Sequence, residues 1–200
     1  MAELNIDLHP AQLEIFHSNK RFKIVAAGRR FGKSYLSAWI LLIKAIQSES
    51  KDVFYIAPTF QQAKDIMWAM LKDLGKDLIS QAYENTAVLT LINGRKIYLK
   101  GSDRPETLRG VGLAYVVLDE YASMKPQVWE QIIRPTLADV KGGALFIGTP
   151  AGKNHFYDLY QDAFDDDDWE SFQYTSIDNP FLPAEEITAA SKTMSSMLFR

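Results

Sequence analysis

The chain contains no cysteine, so it can form neither a disulfide framework nor a thiolate metal site. It has no run of about 18 consecutive apolar residues, and a membrane-spanning helix is therefore not expected. The first residues, MAELNIDLHP, are polar and acidic and do not resemble a secretory signal. A net charge of −3 argues against a dedicated nucleic-acid coat protein. What is present, 200 residues with 47% hydrophobic content, is enough for one well-packed domain.

Apolar runs rich in β-branched and aromatic residues predict buried strands at 22–27, 53–57, 114–118 and 144–148. Helical patterns follow them at 33–48, 60–74, 125–138 and 153–164. Strands that alternate with helices in this way predict right-handed crossovers. The expected fold class is therefore α/β, with a mostly parallel central sheet flanked by helices.

The segments 87–92 and 95–100 interrupt this alternation. Between them, Asn93-Gly94 is a two-residue signal for a type I′ turn, so we expect an antiparallel β-hairpin beside the parallel core. A further strand is predicted at 171–176 and a helix at 184–199. That helix has no C-terminal capping signal, which predicts that the chain is part of a longer polypeptide.

Residues 22–34, FKIVAAGRRFGKS, lead from a predicted strand through a loop into a predicted helix. The backbone N–H groups of such a loop turn inward beside the positive end of the helix dipole, so the loop can hold phosphate oxygens. Lys33 would reach the β- and γ-phosphates, and the Ser34 hydroxyl would bind Mg²⁺. Ala27 stands where G-x-x-x-x-G-K-[ST] has its first glycine. The nucleotide-binding residues expected here are Ala27, Gly28, Arg29, Arg30, Phe31, Gly32, Lys33, Ser34 and Tyr35. A coincidental Gly-Lys-Ser is the alternative, but the strand and helix on either side favour a phosphate loop.

The segment 116–120, VVLDE, is an apolar strand that ends in two acids. Its carboxyl end lies at the sheet edge where open α/β sheets bind ligands. Asp119 can therefore hold Mg²⁺ through water, opposite Ser34, and Glu120 can orient the water that attacks the γ-phosphate. The alternative is an ordinary strand that ends in exposed acids. A second acid directly after the metal-binding one favours hydrolysis over simple nucleotide binding.

Three further residues are candidates for catalysis. Thr149 follows the strand in LFIGTP and would sense the γ-phosphate, although Pro150 after it could simply end the strand. Arg29 lies inside the loop and can neutralise charge on the transferred group in cis. Arg109 lies in a predicted loop, from which it could reach an adjacent subunit or remain a surface arginine. Arg30 faces phosphate, DNA or solvent.

Gln12 precedes the first strand, and its amide could pair with the edge of adenine, although the residues alone favour an exposed glutamine at a helix start. The three histidines, His9, His17 and His155, lack zinc-ligand spacing and are interpreted as surface or packing residues. The basic stretch Arg95, Lys96, Lys100 and Arg104 could face DNA phosphates or only solvent.

Together these segments resemble the ATPase half of the large terminase subunit of tailed double-stranded DNA phages. The resemblance spans nearly the whole chain and includes Pro-Ala-Gln12, AGRRFGKS, YIAPTFQQAKD at 55–65, SDRPETLRG at 102–110, VVLDE and GTP. Its most specific markers are an arginine three residues before Gly-Lys-Ser and the LRG-x-G sequence before the acidic strand.

The resemblance implies a P-loop NTPase of the ASCE type that uses ATP and Mg²⁺ to translocate double-stranded DNA into a procapsid. It places Gln12 near adenine, Arg29 in cis, Arg109 in trans and Thr149 in the motif that couples hydrolysis to movement. The implied partners are the portal protein, the procapsid, the small terminase subunit and further copies in a pentamer-like ring, with a monomer as the alternative for the isolated chain. The implied location is the host-cell cytoplasm.

The resemblance also implies a division of the chain. Residues 1–178 would form the ATPase core, and 179–200 would begin the linker or lid region that precedes an RNase H-like nuclease domain. No further αβ domain and no second acidic strand cluster follow, so this chain is not expected to cut DNA. Two alternatives stay open: a helicase-like ATPase, which would need a second RecA-like domain, and an assembly module that binds nucleotide without turnover.

Overall fold

The computed structural model describes residues 6–182, and an eight-stranded sheet forms its centre. The strands are β1 Phe22–Ala27, β2 Asp52–Ala57, β3 Ile79–Tyr83, β4 Val88–Leu91, β5 Lys96–Gly101, β6 Leu113–Asp119, β7 Gly143–Gly148 and β8 Trp169–Tyr174. Their order is β3-β4-β5-β2-β6-β7-β1-β8, and every neighbouring pair from β5 to β8 is parallel. The predicted α/β class is confirmed. Each predicted strand is present with ends shifted by two residues or fewer.

Helices cover both faces of the sheet. They are α1 Pro10–His17, α2 Lys33–Gln47, α3 Phe60–Leu74, α4 Arg134–Thr136 and α5 His155–Asp162. One hydrophobic core lies between the sheet and α1, α2 and α3, and a second lies on the opposite face under residues 121–137 and α5. The strands between these cores are buried on both sides, which explains their continuous apolar sequences. No described helix is long and apolar enough to cross a membrane.

The predicted helix at 125–138 is not regular. A π-helical segment, Val128–Ile133, leads into the short α4 instead. Pro135 has no N–H to donate to the preceding turn, so an uninterrupted α-helix cannot form there. The helix predicted at 153–164 begins at His155 and gives way to a 3₁₀ turn, Ala163–Asp165. The helix predicted at 184–199 lies outside the described residues.

The hairpin prediction is confirmed for β4 and β5 but was wrong about the turn. The Gly94 N–H donates to the Leu91 carbonyl at 2.9 Å, and the Leu91 N–H donates to the Arg95 carbonyl at 2.8 Å. Only Gly94 in this turn has a positive φ, of 80°. A three-residue loop with a bulge at glycine therefore replaces the type I′ turn, which needs two positive φ values. A third antiparallel strand, the largely exposed β3, also pairs with β4. We call β3, β4 and β5 the hairpin end of the sheet.

Candidate nucleotide-binding site

A cleft of about 750 Å³ opens at the carboxyl edge of the sheet, beside the ends of β1, β6 and β7. The predicted site residues that line it are Arg29, Arg30, Gly32, Lys33, Ser34, Tyr35, Glu120 and Thr149. Met70, Ala122, Ser123, Pro150 and Ala151 also line it. The structure thus brings the loop, the acidic strand end and the Gly-Thr-Pro strand end to one place.

The phosphate loop is built around Gly32, the N-cap of α2. Its φ of +92° is left-handed, and an added Cβ would lie 2.4 Å from the Gln12 Nε2, so only glycine fits there. Ala27 is the last residue of β1 and lacks a positive φ, so glycine is not needed at the position where the common pattern has one. Ala27, Gly28 and Phe31 are buried and support the loop.

Lys33 lies at the centre of the cleft. Its Nζ donates to the carbonyls of Ala27 at 2.9 Å and Gly28 at 3.0 Å, and to the Thr149 Oγ1 at 3.2 Å. Burial lowers the pKa of Lys33, while the nearby charges of Glu120 and Asp119 act in the opposite direction. The ammonium group is therefore held among oxygen atoms at the mouth of the loop.

Asp119 is buried behind the cleft. Its Oδ2 accepts a hydrogen bond from the Tyr55 hydroxyl, and its Oδ1 accepts one from the Glu120 N–H at 2.9 Å. Burial raises the pKa of Asp119, and burial together with the Asp119 charge raises the pKa of Tyr55. Tyr55 was missed by sequence reasoning, although it lies in YIAPTFQQAKD, one of the segments that carry the family resemblance.

Glu120 has a left-handed backbone, with φ 52° and ψ 45°. This conformation is uncommon for a residue other than glycine and often marks a functional site. The Glu120 Oε2 accepts a long hydrogen bond, 3.5 Å, from the Thr149 N–H. Thr149 therefore contacts both Lys33 and Glu120, the cation and the carboxylate predicted to act on phosphate and water.

Helix α1 supports the loop from behind. The Gln12 Nε2 donates to the Gly32 carbonyl at 3.0 Å, and its Oε1 accepts from the His9 N–H at 3.2 Å. The His9 ring bonds the Phe31 carbonyl at 3.0 Å. Gln12 is only 3% exposed, so it is not the exposed glutamine that was the alternative. Its contact with adenine stays a prediction.

A second support comes from the end of β8 and the residues that follow it, which sequence reasoning missed. The Gly28 N–H donates to the Tyr174 carbonyl at 3.1 Å. The Ser176 hydroxyl donates to the Arg29 carbonyl at 2.6 Å, and the Asn179 Nδ2 to the Arg30 carbonyl at 2.7 Å. The Asn179 contact crosses the predicted boundary at 178, and the division of the chain at that point stays a prediction.

The arginines differ in position. Arg29 and Arg30 are exposed at the cleft, and within residues 6–182 their guanidinium groups have no hydrogen-bonding or ionic partner. Arg109 is exposed in a separate depression of about 390 Å³, formed with residues such as Gln131 and Asp139. Within one chain it does not reach the cleft. A role in trans stays a prediction.

No group of three His, Cys, Asp or Glu side chains in the described part of the chain could hold a metal ion. His9 caps α1, and the His155 ring bonds the Tyr121 carbonyl at 3.0 Å. Both are structural contacts.

A sequence model of the family described as "Terminase large subunit, T4likevirus-type, N-terminal" matches residues 24–195. The chain belongs to this terminase family. It is 29% identical over 176 residues to the terminase large subunit of Thermus phage G20c, covering 76% of this chain and 36% of that relative. It is 30% identical over 187 residues to that of Escherichia phage T5, covering 90% of this chain and 42% of the relative. The chain thus spans well under half of these terminases.

A solved structure of a terminase domain has the same architecture. The large terminase ATPase domain of Thermus phage P74-26 superimposes with a TM-score of 0.82 at 25% identity, covering 97% of this chain and 91% of that domain. The predicted terminase family and P-loop fold are therefore confirmed.

Proposed function

We propose that this terminase domain hydrolyses ATP. This proposal rests on two hydrogen bonds of Thr149 within one cleft. Its hydroxyl accepts a hydrogen bond from Lys33, and its backbone N–H donates one to Glu120. A cation suited to phosphate and a carboxylate suited to water therefore face the same volume. The name of the Thermus phage P74-26 ATPase domain, which is 25% identical, supports the same activity.

In this proposal the loop and Lys33 bind the phosphates. Lys33 donates its ammonium hydrogens to the Ala27 and Gly28 carbonyls and to Thr149, and it would exchange some of these hydrogen bonds for bonds to the β- and γ-phosphate oxygens. The N-terminus of α2 adds the positive end of its dipole. Gln12 would hold the Gly32 carbonyl of the loop and would also contact adenine.

Glu120 would orient the attacking water and accept its proton. Its carboxylate lines the cleft beside Thr149, and its backbone is fixed in the left-handed region. Arg29 would neutralise charge on the transferred phosphoryl group from the same chain, and Arg109 would do so from a neighbouring subunit. Thr149 would report the loss of the γ-phosphate because it contacts both Lys33 and Glu120.

The donor set fits Mg²⁺. Ser34 offers a hydroxyl at the first turn of α2, and each Asp119 oxygen accepts one hydrogen bond and keeps further lone pairs. Mg²⁺ takes such hard oxygen donors and keeps several waters, so two protein groups suffice. When bound, the ion would neutralise charge on the β- and γ-phosphate oxygens. Ser34 and Asp119 would hold it there.

Glu120→Gln tests the proposal. We expect ATP turnover to fall about 10²-fold or more, because a general base is lost, while nucleotide affinity stays unchanged. Glu49→Gln is the matched control, since Glu49 is exposed on the turn after α2 and lines a different depression from the cleft. Unchanged turnover in Glu120→Gln would overturn the catalytic role of Glu120, and nucleotide binding without turnover in the wild type would favour the assembly module instead.

Catalysis shared between subunits can be tested by mixing two inactive variants. Arg109→Ala and Glu120→Gln are each expected to hydrolyse ATP slowly. In mixed assemblies, an intact Arg109 can face an intact Glu120 of the next subunit, so activity should return. If the mixture stays as inactive as its components, Arg109 does not act in trans.

We further propose that hydrolysis translocates double-stranded DNA into a procapsid, in the host-cell cytoplasm, with the portal protein, the small terminase subunit and a pentamer-like ring of this chain as partners. The family membership supports this role.

One candidate DNA surface is the half-exposed face of β5 that carries Lys96, Tyr98 and Lys100. Arg95 instead donates to the Ser50 carbonyl at 2.7 Å. DNA-stimulated ATPase activity that falls steeply with salt, and falls less steeply in Lys96→Ala, is the expected result.

A further inference from the structure

Tyr55 and Asp119 lie on adjacent parallel strands and on the same face of the sheet. In the register, Tyr55 is paired with Val117, and Asp119 is the next residue of β6 on that face. The Tyr55 ring is fully buried, and its hydroxyl reaches along β6 to the Asp119 Oδ2. Strand β2 thus places one polar atom, the Tyr55 hydroxyl, beside Asp119.

The two oxygens of Asp119 are held by two different parts of the chain. Tyr55 on β2 donates to Oδ2, and the Glu120 backbone N–H donates to Oδ1. Rotation of the carboxylate about its terminal bond would break both hydrogen bonds. Asp119 is 4% exposed, so water cannot easily replace a lost donor. The plane of the carboxylate, and hence the direction of its free lone pairs, is fixed by this pair of donors.

We infer that Tyr55 is a positioning residue for Mg²⁺: its hydroxyl orients the Asp119 carboxylate that, with Ser34, would hold the metal. This inference rests on the metal role given to Asp119 in the proposed function. Tyr55 does not touch nucleotide and acts only through Asp119. Groups that orient a metal ligand from behind commonly change metal affinity when they are removed.

The test compares two buried tyrosines, only one of which donates a hydrogen bond to Asp119. Tyr55→Phe removes a hydroxyl that donates to Asp119. Tyr115→Phe removes a hydroxyl from β6, also buried in the same core, that has no hydrogen-bond partner among residues 6–182. The measurement is ADP affinity by calorimetry, first with EDTA and then along a Mg²⁺ titration. Thermal unfolding of each variant without nucleotide checks that it is folded.

We expect Tyr55→Phe to raise the Mg²⁺ concentration for half-maximal enhancement of ADP affinity about tenfold, with the EDTA value unchanged. Tyr115→Phe should match the wild type in both. If the Mg²⁺ titration of Tyr55→Phe also matches the wild type, or if its affinity in EDTA falls as much as its affinity in Mg²⁺, the inference is wrong. If the ADP affinity of the wild type itself does not depend on Mg²⁺, the metal role in the proposed function is wrong, and the inference fails with it.

A second variant separates an effect through Asp119 from a general effect of the lost hydroxyl. In an Asp119→Asn background, the Tyr55→Phe change should add little to the loss of Mg²⁺-dependent ADP affinity, because the oriented carboxylate is already absent. Additive losses would show that Tyr55 acts by another route and would overturn the inference. The double variant also covers the case in which Tyr55→Phe alone unfolds, since Asp119→Asn removes the buried charge.

Discussion

The centre of the sheet, where the strands are parallel, and its hairpin end, where they are antiparallel, serve different purposes. In the centre, β1, β6 and β7 are buried on both faces and end together at the cleft, so that Lys33, Glu120 and Thr149 meet. At the hairpin end, α3 covers one face, and buried and half-exposed residues alternate along β4 and β5. The centre holds the side chains at the cleft in fixed positions, whereas the hairpin end has a broad half-exposed surface. Substitutions in the two regions should therefore differ in what they disturb.

The largest difference is expected from Lys33→Ala. Loss of the ammonium group that faces the phosphates should lower ATP turnover about 10²-fold or more. Lys76→Ala, an exposed lysine between α3 and the hairpin end, removes the same charge and should leave turnover unchanged. Steady-state phosphate release measures both. Equal losses would mean that the cleft is not the site of hydrolysis.

Two glycines with positive φ allow a direct comparison, because Gly32 lies at the cleft and Gly94 lies at the hairpin end. Gly32→Ala and Gly94→Ala should each lose about 1–2 kcal/mol of unfolding free energy, because both residues are left-handed. An added Cβ at Gly94 has nothing within 4 Å, whereas at Gly32 it meets Gln12. Only Gly32→Ala should therefore also lose nucleotide binding, which calorimetry can measure beside chemical denaturation. Retained binding in Gly32→Ala would show that the loop tolerates displacement of Gln12.

The buried Lys23 lies in β1, at the centre of the sheet, and should make the unfolding free energy depend on pH. Burial, followed by the charge of Lys44, lowers the pKa of Lys23 from 10.5 to about 8, while Glu170 opposes the shift. Between these values the unfolded chain binds more protons, so this residue makes the unfolding free energy rise with pH. Relative to Lys23→Met, the wild type should gain about 1–2 kcal/mol between pH 7 and 9.5. Parallel stability curves for the two proteins would contradict this.

The smallest expected effect lies at the hairpin end. The Thr90 hydroxyl is buried without a hydrogen-bond partner among the described residues. Thr90→Val keeps the shape and removes the unpaired group, so the unfolding free energy should rise by about 0.5–1 kcal/mol, with ATP turnover unchanged. Chemical denaturation detects a change of this size when midpoint and slope are compared. A loss of stability would show that water bonds the hydroxyl in solution.

The difference between the centre and the hairpin end also explains which elements could be predicted from the sequence. Runs such as those of β1 and β7 are continuously apolar because both faces are buried, and they were predicted closely. The polar β3 has no such signal and was missed, because its pairing with β4 depends on tertiary context. The turn at Gly94 was assigned the wrong type, because Asn-Gly is compatible with more than one loop length.

The same limits apply to the site. The position of Lys33, Ser34 and Glu120 at the cleft could be predicted because they lie at fixed spacing within short motifs. Tyr55, Ser176 and Asn179 could not, because each contacts the site from a distant part of the sequence. The left-handed backbone of Glu120 has no local sequence signal, since glutamate rarely adopts it.

The hydrogen bond from Ser176 to the Arg29 carbonyl has a consequence for the direction of the loop's dipoles. In a trans peptide the C=O and the following N–H point in opposite directions. Fixing the Arg29 oxygen towards Ser176 therefore aims the Arg30 N–H the other way. The direction of this peptide dipole is therefore set when the protein folds, before any ligand enters the cleft. A serine outside the loop thus sets part of the electrostatic field within it.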